Sequence, residues 1–234
     1  MTTFKAPPNQ SDLVLQNGDI LLVEAMGTAT NTQIKMGGLE RVFAGGTSEN
    51  TTIDLLGRER VDAGGTSNHT TIHNGAREIV FGTSNNTDIV GGIEVVELRG
   101  VAHDTTIGGN FGRLDVTGAG RAHNVTFSDK GIGSVELGNP LALTGTITNW
   151  HIRDFIDLEA TRVTGVINSM HNTVTVIYDQ NRSVTYTLVD QQPDTEVTFR
   201  SDGHGGTDLI LTPIVGVQHQ EAAIQFGPGP HFHL

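Results

Sequence analysis

The stretch RVFAGGTSENTTIDLLGRE, residues 41–59, is followed without a break by RVDAGGTSNHTTIHNGARE, residues 60–78. Val42 answers Val61, Gly45-Gly46-Thr47 answers Gly64-Gly65-Thr66, and Thr51-Thr52-Ile53 answers Thr70-Thr71-Ile72, a step of 19 residues. A fixed period of this length marks a solenoid, in which a coil buries its apolar face only against its neighbours. Outward from this pair the unit persists in altered form. LLVEAMGTATNTQIKMGGLE (21–40) precedes it, and IVFGTSNNTDIVGGIE (79–94), VVELRGVAHDTTIGGNFGR (95–113) and the worn LDVTGAGRAHNVTFSDKGIGS (114–134) follow. About six coils are expected, with atypical units at the ends where the stack must be capped.

Each coil reads as two short β-rich pieces, around Val42 and around Thr51–Ile53, separated by Gly-rich corners. Side-chain alternation along a strand sends Thr51 and Ile53 to one face and Thr52 and Asp54 to the other. Ile34, Ile53, Ile72, Ile89 and Ile107 are therefore expected in one inward stack, and Val42, Val61, Val80 and Val96 in another. The period is lost after residue 134. Residues 159–213 alternate apolar and polar residues between turn signals such as Asp179-Gln180-Asn181 and Asp202-Gly203, the spacing of antiparallel hairpins. Trp150, the single tryptophan, is available to plug the end of the stack. The predicted organisation is all-β: a flexible leader (1–12), a parallel β-helix (13–134), an antiparallel β cap (135–213) and a tail (214–234) used in packing or free to move.

Composition agrees with a narrow core, since 30 Gly stand against nine Phe, two Tyr and one Trp. A formal charge of −12 argues against nucleic acid and against an anionic membrane surface as partners. The absence of Cys removes disulfides, thiolate metal sites and a cysteine nucleophile. No run of 18 apolar residues is present to span a membrane as a helix, and MTTFKAPPNQSDLV shows no secretory signal, which leaves the export route open.

The GGTxxxTTI unit with its closing Gly pair resembles the AIDA-type repeat of autotransporter passenger regions, over residues 21 to about 127 and most closely in 41–78. The segment from Asp154-Phe155-Ile156-Asp157-Leu158 to Phe199–Thr207 resembles the short β domain that often follows such repeats in large secreted bacterial proteins. The resemblance implies a right-handed parallel β-helix, export, and a role in adhesion or biofilm structure. Some relatives carry sugars on repeat Ser or Thr, a place held here by Thr47, Ser48, Thr66, Ser67, Thr83 and Ser84. The chain departs from the pattern in showing no signal peptide and no C-terminal translocator barrel.

No catalytic, cofactor-binding or metal-ligating residue is assigned from the sequence, and no cofactor is expected. Glu40, Glu59, Glu78 and Glu94 recur at one coil position, with Arg41 and Arg60 beside two of them. A carboxylate ladder of this kind would bind cations or sugars, but the favoured reading is a solvated edge with Arg screening the repulsion. SDGHGGTDLIL (201–211) compares with a calcium-binding nonapeptide, yet it stands alone where calcium rolls need tandem copies. A Gly-rich hairpin over Asp202–Asp208 is the better reading. The ten His are scattered, and only His231 and His233 are close together. Asp54, Asp62 and Asp88 look outward but lack the aromatic platform of a sugar-cleaving groove. The Asn-x-Ser/Thr sites at Asn9, Asn50, Asn68, Asn85, Asn124 and Asn181 follow mainly from turn chemistry.

The expected function is non-enzymatic: a structural and adhesive module of a secreted or surface-exposed bacterial protein. Its repeated exterior would bind a cell-surface protein, a glycan or copies of itself. The competing readings are a polysaccharide lyase or hydrolase on a β-helix scaffold, and a self-assembling scaffold protein.

Overall fold

The structure is a computed structural model describing residues 1–169 and 172–215. Its first two thirds are a parallel β-solenoid of about eight turns with about 19 residues per coil. Each coil carries three short strands, one more than the sequence predicts. In the coil that opens with Leu39–Val42 the second strand is Thr47–Glu49 and the third Thr52–Ile53. The middle strand was missed because Thr-Ser-Glu and Thr-Ser-Asn have little apolar content and sit directly after the Gly pair.

Strands of one kind stack into one wall with strict parallel register. In the first wall Val23, Val42, Val61, Val80 and Val96 are consecutive partners, continued by Val116, Leu137 and Leu158. In the third, Leu15, Ile34, Ile53, Ile72, Ile89, Ile107 and Phe127 form one column. Every member of both columns is buried, as the period-2 reading requires. With successive strands about 4.8 Å apart, each apolar side chain finds cover only from the coils above and below.

The corners are set by backbone crowding. A Cβ on Gly46 would lie 2.4 Å from the Val23 carbonyl oxygen of the preceding coil, and one on Gly65 2.8 Å from that of Val42. At another corner the left-handed conformation falls to short polar residues, with φ of 55° at Asn31, Asn50, His69 and Asn86. The amides of two of them link successive coils: that of Asn50 donates to Asn31 Oδ1 at 3.4 Å and that of Asn31 to Asp12 Oδ1 at 3.1 Å.

Two predicted boundaries move. Residues 1–12 are not a loose leader, because Thr3–Ala6 pairs in register with Ile20–Val23, and Gln10–Ser11 with Ala29–Thr30. The first coil was unreadable because Pro7-Pro8 and a polar sequence hide the repeat. Nor does the solenoid stop at residue 134: Arg121–Leu137 runs past it, and Leu143–Thr148 and Phe155–Leu158 add a further coil in parallel register. The period fails there only because the step lengthens to 21 residues between Val116, Leu137 and Leu158.

The antiparallel part begins at Val163. Val163–Ser169, Thr173–Tyr178 and Arg182–Val189 form a meander, and Thr195–Ser201 pairs with Thr207–Pro213. Two of these strands attach to the last coil: Arg182–Val189 lies parallel to Leu143–Thr148, and Thr207–Pro213 antiparallel to Phe155–Leu158. The Tyr186 hydroxyl donates to the Pro140 carbonyl at 2.8 Å across the junction. Trp150 is fully buried, stacked on Phe127 with centroids 6.1 Å apart, and its indole N–H donates to the Asp154 carbonyl. Of the predicted tail, residues 216–234 lie outside the described residues, and so do His231 and His233.

Substituting Gly46→Ala should lower stability by about 2–4 kcal/mol, since the clash is with backbone that the stack cannot shift. Urea unfolding of the variant beside the parent measures it.

Candidate functional site

The repeated glutamates are not on a solvated edge. Glu40, Glu59, Glu78 and Glu94 occupy the second position of the first-wall strands, two residues before Val42, Val61, Val80 and Val96, and share their inward face. All four are fully buried. They stack in register between Leu21 on one side and Leu114 on the other, so four carboxyl groups replace four apolar side chains mid-column.

Hydroxyls from the other two walls receive them. Ser48, Ser67 and Ser84 donate to Glu59, Glu78 and Glu94 at 2.6, 2.6 and 2.5 Å. Thr51, Thr70 and Thr105 donate to the second oxygens of Glu40, Glu59 and Glu94 at 3.4, 3.3 and 3.1 Å. The matching extends to the coils without glutamate, where Ala102 and Ala122 stand in the serine column and Leu114 and Val135 in the glutamate column. One place breaks the rule. Ala29 is the register partner of Ser48, so no serine faces Glu40, and Glu40 Oε1 has no hydrogen-bond partner.

Burial raises the carboxyl pKa values: to about 7 for Glu59 and Glu94, and well above the usual range for Glu40 and Glu78, where neighbouring glutamates add to the effect. Protonation resolves the repulsion, because a carboxylic acid can also donate to the carboxylate of an adjacent coil. The ladder is therefore part of the packed interior, where all four side chains are fully buried.

The burial also separates the Ser and Thr of the repeat. Ser48, Ser67 and Ser84 are inside and already bonded, whereas Thr47, Thr66 and Thr83 are half-exposed on the second wall. Of the six residues the resemblance marks for glycosylation, only the three threonines face outward.

The outward carboxylates do not converge. Asp62 accepts from Arg41 at 2.7 Å and Arg60 at 2.6 Å, and although its burial works the other way these arginines hold its pKa below the ordinary value. The same two guanidiniums lie 4.5 Å over the Phe43 and Phe81 rings. Asp54 is tied to His73 at 2.8 Å, and Asp88 is exposed on the third wall. Both oxygens of Asp202 accept backbone N–H groups of its own turn, including Gly206 at 3.0 and 3.1 Å.

An acidic group near the cap was not singled out by sequence. Asp115, Glu136 and Glu159 can each place an oxygen within 4.8 Å of the others, a set that could hold a hard cation. Nearby Asp157 is pushed up to about 6 by burial and then by the charge of Asp208. The protein already compensates this charge in part, since Arg113 reaches Glu136 at 2.9 Å and Asp115 at 3.6 Å. The three residues are far apart in the sequence, and only the 21-residue coils bring them together.

No protein-family profile matches the chain. No curated protein matches it either. Among solved structures, a fragment of TibA whose hyper-glycosylation is catalysed by TibC is similar at 22% identity, with 63% of this chain and 73% of that chain covered and a TM-score of 0.37.

Two measurements check the ladder. Groups whose folded pKa is raised stabilise the fold fully below the unfolded value near 4.5 and lose that contribution as pH rises through about 7. Thermal stability should thus fall between pH 5 and 8, and Glu59→Gln should reduce that fall by about 2 kcal/mol. Ala29→Ser should stabilise the fold by about 1 kcal/mol by supplying Glu40 with its missing donor, and chemical unfolding at pH 6 measures it.

Proposed function

We propose that this chain is a non-enzymatic adhesive module of AIDA-repeat type, displayed on a secreted or surface-exposed bacterial protein, whose solenoid exterior binds a cell-surface protein or glycan. The supporting observation is the repetition of outward side chains in strict register. Thr28, Thr47, Thr66 and Thr83 form one outer column, and the Asn corner forms another beside it. Such a wall offers the same contact at about 4.8 Å intervals, which favours many weak bonds in parallel over one deep site. Outward aspartates tied to arginine and histidine supply no pair poised for acid and base work at a glycosidic bond. No helix among the described residues is long and apolar enough to cross a membrane.

Self-association is the second reading, favoured by the first coil. Its three strands add edge to edge to those of the second coil, and the same main-chain pairing can join coils of separate copies.

The test is binding of the purified chain to glycan arrays and to wells coated with host-surface proteins, with reducing-end release followed on any bound glycan. Retention without release is the expected outcome. Release of reducing ends would overturn the reading in favour of an enzyme. Absence of binding, together with concentration-dependent sedimentation, would overturn it in favour of self-assembly.

A further inference from the structure

One corner of the solenoid carries two exposed bulky residues at positive φ. Two residues before the first-wall strands, the chain adopts positive φ in coil after coil: 90° at Gly18, 80° at Gly37, 74° at Gly75 and 86° at Gly91. Backbone bonds confirm the equivalence, since the Gly18 N–H donates to the Gly37 carbonyl, Gly37 to Leu56 and Leu56 to Gly75. In this column Leu56 has φ 61°, and in the longer corner of a later coil Phe111, the extra residue where the register shifts between Asn110 and Gly112, has φ 62°. Glycine takes this conformation freely, whereas a leucine or phenylalanine is strained in it. Neither is compensated by burial: Leu56 is 55% exposed and Phe111 70%.

These two side chains stand at the ends of one open groove whose wall carries Arg58, Arg77 and Ile93. Arg58 and Arg77 are register partners in adjacent coils, so two like charges sit side by side. Neither makes an ion pair among the described residues, although the field of Arg77 reaches Asp115. No acidic side chain lines the groove, in a chain of net charge −12. Met36, 57% exposed, continues the apolar strip on the far side of Leu56. Strain kept for the sake of exposed apolar groups, beside uncompensated guanidiniums, is the composition of a protein-binding patch: aromatic, Met and Arg, with acidic residues absent.

We propose that the Leu56–Phe111 groove is a docking site for an extended acidic peptide segment of another protein, whose carboxylates pair with Arg58 and Arg77 and whose apolar side chains pack on Leu56 and Phe111. This rests on the adhesive reading above and names its partner chemistry. Aliphatic groups at one end and along the wall favour peptide over glycan, since sugars stack on aromatic faces and only Phe111 provides one.

The experiment uses three fluorescein-labelled ten-residue peptides: one of Glu, Leu and Ser, one with every Glu replaced by Lys, and one with every Leu replaced by Ser. Fluorescence anisotropy is read on the parent chain and on Leu56→Gly, Phe111→Gly and Arg58→Glu/Arg77→Glu. The first peptide is expected to bind about tenfold or more tightly than either counterpart, and the charge-reversal variant to lose that binding. Leu56→Gly and Phe111→Gly are each expected to weaken it about tenfold while the thermal midpoint stays level or rises, because glycine relieves the strained φ. Equal binding of the Lys peptide, no binding of the Glu peptide, or binding indifferent to the glycine variants would overturn the proposal. Binding of polyglucuronate instead would overturn the peptide in favour of a glycan. If the glycine variants still adhere to coated surfaces as the parent does, this groove is excluded while the adhesive reading stands.

Discussion

Parallel register between coils is the constraint on which everything else rests. Each strand must place its backbone N–H and carbonyl groups directly over those of the coil below, so a residue type chosen at one position is pressed against the same position of its neighbours. Apolar columns profit from this, since Val over Val and Ile over Ile exclude water without a large core. Charged columns suffer. Four glutamates at about 4.8 Å intervals in a dry interior would be untenable as four anions, and burial drives them toward the protonated form. Serine and threonine from the other two walls then supply donors, which makes the polar seam part of the packing.

A polar seam of this kind has a consequence for assembly. An Ile or Val coil could slip past its neighbour by one repeat with little loss, because every coil presents a similar column. The glutamates limit such slippage: a one-coil shift of the first wall would place Glu94 opposite Ala102 in one direction and leave Ser84 facing Leu114 in the other. Apolar Leu21 and Leu114 at the ends of the ladder keep the carboxyl groups in the middle of the rod, away from its termini.

The cap solves a different problem. The last coil exposes the edges of its strands, and two cap strands bond to them, one parallel and one antiparallel. Trp150 fills the end of the interior where Phe127 closes the isoleucine column. The lengthened step of the final coils brings Asp115, Glu136 and Glu159 together beside this junction.

The sequence by itself determined the solenoid, its near-19-residue step and its two apolar columns, because identical residues at a fixed spacing have only one way to bury themselves. It also held the clue to the polar seam, since serine stands 11 residues before Glu59 and Glu78 and alanine stands before Leu114. Read one strand at a time, Glu40 looked like a surface residue, because a Glu beside an Arg is usually solvated. Only the tertiary structure could place it inside, as that depends on Leu39–Val42 starting one residue before the glutamate. The strain at Leu56 and Phe111 was equally invisible, for a φ angle belongs to a corner position and not to a residue type. The first coil, the extended last coil and the acidic group near the cap were decided by register between segments whose sequences no longer resemble one another.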